Sequence, residues 1–352
     1  QQPTGGVALN RVTGAEPSEI FGRLTSNGSV YLVNPNGVLF GRTAQVDVGS
    51  LVASTQNMAD ADFMAGKTLF SRNGATGSVV NEGQINATLG GYVALLAPEV
   101  RNSGIIVARM GTVAMAAGDV VELQFDGGKL ANVRVDPATI ATLIDNRSAV
   151  QAPDGHIILS APAVSKLQGS AIKNSGTLDA SSLSMKGGRI VLSADSIELS
   201  GTSVIDASGA TGGGTVLVGG DWQGSNGVYQ ATTVTMDQAA SIDASATAQG
   251  DGGKVVLWSN ISQADSLTQV DGVILARGAG TGVGGAVETS GHQLGIGGTA
   301  RVESAEWLLD PTDVYITTGA NANYTDASGT YTPNSGQSSA TVNNATLVSA
   351  LS

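Results

Sequence analysis

Two short stretches decide the fold: Asn81-Glu82-Gly83-Gln84-Ile85-Asn86-Ala87-Thr88 running to Gly91-Tyr92-Val93-Ala94-Leu95, and Asn102-Ser103-Gly104-Ile105-Ile106-Val107-Ala108-Arg109 running to Gly111-Thr112-Val113-Ala114-Met115. The second repeats the first about 20 residues later. A turn, Asn-x-Gly, opens each copy, a first apolar pair follows, and Gly-x-Val closes it. The closing unit returns as Gly155-His156-Ile157-Ile158-Leu159, Gly188-Arg189-Ile190-Val191-Leu192, Gly214-Thr215-Val216-Leu217-Val218, Gly253-Lys254-Val255-Val256-Leu257 and Gly285-Ala286-Val287-Glu288-Thr289. Upstream of it stand near-verbatim tetrapeptides: Leu178-Asp179-Ala180-Ser181, Ile205-Asp206-Ala207-Ser208 and Ile242-Asp243-Ala244-Ser245. Asn174-Ser175-Gly176 is a third Asn-x-Gly.

Self-similarity at a fixed period marks a solenoid. About 20 residues accommodate one coil of three short strands, each stacking on its copy in the next coil at about 4.8 Å. Alternating Val, Ile and Leu point one row inward. Gly, Asn and Asp are expected to supply the positive φ of the corners. The spacing therefore predicts an all-β chain, a right-handed parallel β-helix of about 13–17 coils, in preference to a sandwich or barrel with Gly-rich hairpins.

Composition agrees. Of 352 residues 49 are Gly, roughly twice the usual share, and none is Cys. Aromatics make up 4 % and charged residues 13 %, while 41 % are hydrophobic. Collagen is excluded because Gly has no three-residue period, and disorder because aliphatic content is high and charge low. No apolar run is long enough for a membrane helix. Without Cys there is no disulfide, thiolate metal site or Cys nucleophile. The net charge is −12 and no basic stripe is visible, so nucleic acid is not expected as a partner.

Two stretches depart from the strand pattern. Asp136 to Asn146 reads as helical, with Asp136 as N-cap, Pro137 at the first position, and Ile140, Leu143 and Ile144 on one face. Ala161 to Gln168 reads as a further turn, which gives a small helical excursion near 130–172. Glu16 to Phe21 reads as one helical turn, and Thr317 to Gln337 as an irregular loop.

The run Val7-Ala8-Leu9-Asn10-Arg11-Val12-Thr13-Gly14, then Asn27 to Gly41 with Asn34-Pro35-Asn36-Gly37 at its centre, then Ala44 to Thr55, resembles the amino-terminal secretion domain of the filamentous haemagglutinin family. These are the exoproteins of two-partner secretion in Gram-negative bacteria. The resemblance covers most of 5–318, including Gly291-His292-Gln293-Leu294 and Trp307 to Asp313. It implies a two-partner secretion domain over 1–125, the helical or loop excursion over 126–172, continuing coils over 173–316, and a loop with the start of a truncated segment over 317–352. It also implies export by a dedicated outer-membrane transporter through that transporter's periplasmic domains. Folding outside the cell, display at the surface, and adhesion or biofilm formation follow from the same resemblance, without enzymatic activity. Host or matrix carbohydrate is the further partner class, no cofactor is implied, and the chain is expected to be a monomer. Asn34, Pro35, Asn36 and Gly37 carry the secretion motif, and Asn10, Arg11, Val12 and Gly14 the family motif. The family's domain has a further strand-rich stretch before Val7. Only Gln1 to Gly6 precede it here, so the first coils and cap are expected to be missing and the chain to be part of a longer polypeptide.

Other residues read blandly. Asn34 to Gly37 is first of all a β-turn. His156 and His292 are far apart and have no motif around them, which argues against zinc. Asp179, Asp206 and Asp243 are expected to cap corners as Asx-turns rather than hold Ca²⁺. Gly212-Gly213-Gly214, Gly252-Gly253 and Gly284-Gly285 lack the Lys-Ser/Thr of a phosphate loop. Trp222, Trp258, Trp307 and Tyr229 are read as packing residues before sugar platforms. The rival functions are a β-helical polysaccharide-degrading enzyme, which needs converging carboxylates, and the stalk of a contact-dependent toxin.

Overall fold

The computed structural model describes residues 5–165 and 169–310, together with the backbone of four short strands beyond them. The chain divides into two units, residues 1–181 with 188–194, and 182–187 with 195–352.

In the first unit the two quoted stretches lie directly on one another. Tyr92–Leu96 pairs in parallel with Thr112–Ala116, Gln84–Ala87 with Ile105–Val107, and Ser78–Asn81 with Glu99–Asn102. Each coil thus gives one strand to each of three parallel sheets. The first sheet of this unit runs Val7–Arg11, Ser29–Val33, Ser50–Ser54, Tyr92–Leu96, Thr112–Ala116, His156–Ala161, Arg189–Ala194. The interior is filled by stacked aliphatic rows. Leu51, Val93, Val113, Ile157 and Ile190 share one register position, and Val46, Ile85, Ile106, Val150 and Leu178 another. All are buried.

In the second unit the first sheet runs Thr215–Val218, Lys254–Trp258, Ala286–Ser290, Glu306–Asp310. Val204–Asp206, Ser241–Asp243, Val273–Leu275 and Arg301–Glu303 form the second sheet in the same way, and Ser196–Leu199, Thr233–Met236, Leu267–Val270 and Gln293–Ile296 the third. The chain is a parallel β-helix, as the repeats predict. Among the described residues, seven first-sheet strands in one unit and four in the other make fewer coils than the 13–17 expected, and insertions between coils take up many of the described residues.

The insertions bring the main correction. Thr112 pairs with His156, so the chain leaves the helix after Ala116 and returns at Leu143–Asn146. The excursion is β, not helical. Val120–Asp126 and Lys129–Asp136 form an antiparallel hairpin, and Leu69–Ser71 pairs with Val120 to Glu122 as a third strand. The segment read as a helix from Asp136 ends instead in a strand whose Ile144 lies between Val100 and Ile172. Of 161–168, Ala161 closes a strand, Ala163 bridges Ala138 in parallel, and 166–168 lie outside the described residues. The turn expected near Glu16 is the strand Ser18–Ile20. The α-helix among the described residues is Asp60–Met64, in the other insertion of this unit. Within the expected loop 317–337, Thr317 ends the strand Val314–Thr317, Tyr324–Asp326 and Tyr331–Pro333 pair antiparallel, and the rest lies outside the described residues.

The hairpin creates a second core on the outside of the first sheet. Tyr31, Val33, Val52, Tyr92, Ala94, Leu96, Ala114, Ala116 and Ile158 face outward from the coils. They are covered by Met58, Phe70, Val121, Leu123, Leu130 and Val133. The Tyr31 and Tyr92 hydroxyls hydrogen-bond at 2.8 Å beneath this cover, and burial raises both pKa values.

Candidate functional site

Asn34, Pro35, Asn36 and Gly37 connect a first-sheet strand to the strand Val38–Phe40. The Gly37 N–H donates to the Asn34 carbonyl at 3.1 Å, which closes the expected β-turn. Gly37 has φ +125°, a conformation that a side chain strains. Pro35 and Asn36 are exposed, whereas Asn34 is fully buried.

The turn does more than reverse the chain. The Asn34 side-chain amide donates to the Glu16 carbonyl at 3.0 Å and to the Ser18 hydroxyl at 2.9 Å, while its oxygen accepts from the Asn36 N–H at 3.0 Å. The Asn36 amide donates to the Gly14 carbonyl at 2.8 Å. Two side chains thus clasp the loop 14–18 of the preceding coil, satisfying backbone groups that no sheet reaches. From the following coil, a Cβ on Gly77 would stand 2.7 Å from the Gly37 nitrogen, so only glycine passes over the turn.

The family-motif residues divide. Gly14 belongs to the clasp through its carbonyl. The Val12 N–H continues the sheet by donating to the Val33 carbonyl at 2.9 Å, and the Asn10 amide lies 3.4 Å from the carbonyls of Ala8 and Tyr31. Arg11 acts elsewhere. It pairs with Asp60 at 2.7 Å and donates to the Met58 carbonyl, tying the first described coil to the helical insertion. The sequence contains no local signal for that long-range pair.

A cavity of about 710 Å³ lies beside the same strand, lined by Ala8, Asn10, Leu24, Thr25, Ser26, Asn27, Val30 and Asp47. It is part apolar and part polar, and it brings Asn10 alone of the motif residues to its wall.

The Asn-x-Gly openings have a role of their own. Asn81, Asn102, Asn146 and Asn174 stack in the interior, and the amides of the first three donate in turn to the next Asn oxygen at 2.8, 2.8 and 2.7 Å. All four are fully buried. Asn146 lacks the following Gly, so the pattern missed it.

The remaining candidates sit where packing or capping needs them. The carboxylates of Asp179, Asp206 and Asp243 accept from the N–H two residues on, at 2.9, 2.8 and 2.8 Å. Those are Asx-turn caps. Trp258 is buried under Gly220 and Gly224, and its indole N–H has no hydrogen-bond partner among the described residues. Trp307 donates to the Thr289 hydroxyl at 3.0 Å, and Tyr229 donates to Asp195. His292 Nδ1 contacts the Ile261 carbonyl at 3.1 Å. Among the described residues no three His, Asp or Glu side chains converge as a metal centre.

The family model of the TPS secretion domain matches residues 1–209. The chain is similar to two heme/hemopexin-binding proteins of Haemophilus influenzae. It is 32 % identical to one over 212 residues, which is 58 % of this chain and 23 % of that protein. It is 32 % identical to the other over 231 residues, 60 % of this chain and 25 % of that protein. The chain thus spans about a quarter of the length of these relatives. Among solved structures it is similar to the HMW1 secretion domain from Haemophilus influenzae, with TM-score 0.67 and 29 % identity over 88 % of this chain and 87 % of that one.

Proposed function

Because the chain belongs to the TPS secretion domain family, we propose that it is the part of a two-partner exoprotein that directs export through an outer-membrane transporter. The clasp of Asn34 and Asn36 on the loop 14–18 carries this reading, since it puts the most specific motif of the resemblance at one built turn. Pro35 and Asn36 are left at the surface, where the transporter's periplasmic domains can reach them. The remainder of the parent protein is displayed at the cell surface and adheres, with host or matrix carbohydrate as the partner class. The segment itself is a non-enzymatic monomer. Haem or haemopexin binding stands in the names of both curated relatives, but the matched part is about a quarter of each. We therefore adopt export as this chain's own role.

The test is secretion of the chain, behind a signal peptide, by a Gram-negative host with and without the cognate transporter. Release into the medium is expected only with the transporter. Pro35→Ala, which removes no hydrogen bond of the clasp, separates recognition from folding. Reduced release at an unchanged melting temperature supports contact at the turn. Equal release without the transporter overturns the export reading.

A further inference from the structure

The chain carries net charge −12, and most of its described Lys and Arg side chains sit in ion pairs. One group of cations in the first unit does not. His156 lies directly opposite Arg189 in the parallel register of the first sheet, with Thr112 on its other side. The three positions project from the outer face, in line with the residues under the hairpin. The hairpin supplies a second fixed cation beside Arg189. The Thr112 hydroxyl donates to the Leu130 carbonyl at 2.6 Å, which fixes Lys129 at the edge of the same column.

Adjacent strands are about 4.8 Å apart, so His156 and Arg189 are close neighbours. Desolvation lowers the His156 pKa first, and the charges of Arg189 and then Lys129 lower it further. Both cations therefore bear on the imidazole. Lys129 and His156 are exposed and Arg189 half-buried. None of the three side chains hydrogen-bonds or pairs with another described residue. Gly127 and Gly128 form the hairpin tip beside Lys129, with nothing within 4 Å of where a Cβ on either would stand, and Asp126 is the residue paired across from Lys129.

We propose that Lys129, His156 and Arg189 form an oxyanion-binding site that takes a sulfate, phosphate or carboxylate group. Lys129 and Arg189 supply fixed positive charge and N–H donors, with the Arg fork suited to two oxygens at once. His156 becomes a further charged donor when it takes a proton from solvent, which the bound anion favours. The hairpin and the coil are both needed, because they contribute Lys129 on one side and His156 with Arg189 on the other. The site lies apart from the Asn34 turn and does not rest on the export reading.

The chain has only two His, so the imidazole C–H signals of His156 and His292 report the site and an internal control in one NMR spectrum. Each midpoint is followed in chloride and in sulfate at matched ionic strength, and again with a sulfated disaccharide. Sulfate is expected to raise the His156 midpoint by about half a unit or more and to leave His292 in place. Lys129→Ala and Arg189→Ala are each expected to weaken the response at least threefold with unchanged melting. A response to the disaccharide at lower concentration than to inorganic sulfate identifies an acidic saccharide as the source. An equal or weaker one identifies a free anion. A His156 midpoint that moves no more than that of His292 overturns the site.

Discussion

The Asn34 side chain is fully buried, and its amide holds the Glu16 carbonyl and the Ser18 hydroxyl. The motif around it reads as a turn, yet its buried amide is spent on the preceding coil. Asn34→Ala would strand the Glu16 carbonyl and the Ser18 hydroxyl without their donor. We expect a loss of about 1–3 kcal/mol, seen as a lower midpoint in urea unfolding. No loss would mean that water replaces the amide freely. Asp195 is the opposite case. Burial raises its pKa, against the hydrogen bond from Tyr229, and its second oxygen has no partner among the described residues. The folded state then holds the proton more tightly than the unfolded chain. Stability on this account is full below the ordinary carboxylate value and falls as pH rises through the raised one. Asp195→Asn, which keeps an acceptor for Tyr229, should unfold at a higher temperature than wild type at pH 7. Equal or lower melting at that pH would contradict it.

The hairpin shows most clearly what a sequence reading could reach. Asp136 and Pro137 imitate a helix start, and Ile140, Leu143 and Ile144 imitate a helix face. The stacked register wins because Ile144 fills the interior place between Val100 and Ile172, and Asn146 the place between Asn102 and Asn174. Tertiary pairing overrides a local propensity worth only tenths of a kcal/mol per residue. The hairpin itself was legible. Val121, Leu123, Val133 and Val135 alternate with polar residues on either side of Asp126-Gly127-Gly128-Lys129, a strong turn signal. What no local pattern shows is the partner of its apolar face, the outward residues of coils from Tyr31 to Ile158. Leu123→Ala, at a buried site of this second core, should cost about 2–5 kcal/mol. An unchanged thermal unfolding midpoint would show that the cover contributes nothing. Asp119 pins the hairpin's base. Burial opposes its charge, but hydrogen bonds from Thr139 and from Arg72 outweigh it and lower its pKa. Its contribution is present above the ordinary carboxylate value, about pH 4, and is lost as pH falls through the lowered one. The melting difference between wild type and Asp119→Asn should therefore shrink in acid, and a constant difference from pH 7 to pH 3 would refute the assignment.

At the scale of the whole molecule, the repeats locate the coils, and positive φ accounts for only part of their glycines. Gly90 and Gly201 have the positive φ expected of corners. Gly91, Gly111, Gly155 and Gly188 are not in that region. They stack in a column, and a Cβ on each would fall on the carbonyl oxygen of the glycine before it: Gly49, Gly91, Gly111 and Gly155 in turn. Gly253 and Gly285 do the same within the second unit. Glycine is kept there because consecutive coils approach too closely for any side chain, a distance that composition cannot reveal. Gly111→Ala should thus be more harmful than the helix-propensity scale suggests. We expect a loss of about 3 kcal/mol or more, or failure to fold, read by circular dichroism during refolding. A well-folded variant within about 1 kcal/mol of wild type would show that the coils can part at little cost.

The hairpin tip has a practical corollary. Gly127 and Gly128 both have positive φ and open space around them, and the chain on either side is held in register by seven paired positions. The coil that precedes the hairpin and the coil that follows it are joined by hydrogen bonds of their own, independent of the tip. A foreign peptide spliced between Gly127 and Gly128 would leave both coils in phase. The tip is therefore a natural port for engineering, where an epitope or a small reporter could ride on the scaffold without being woven into it.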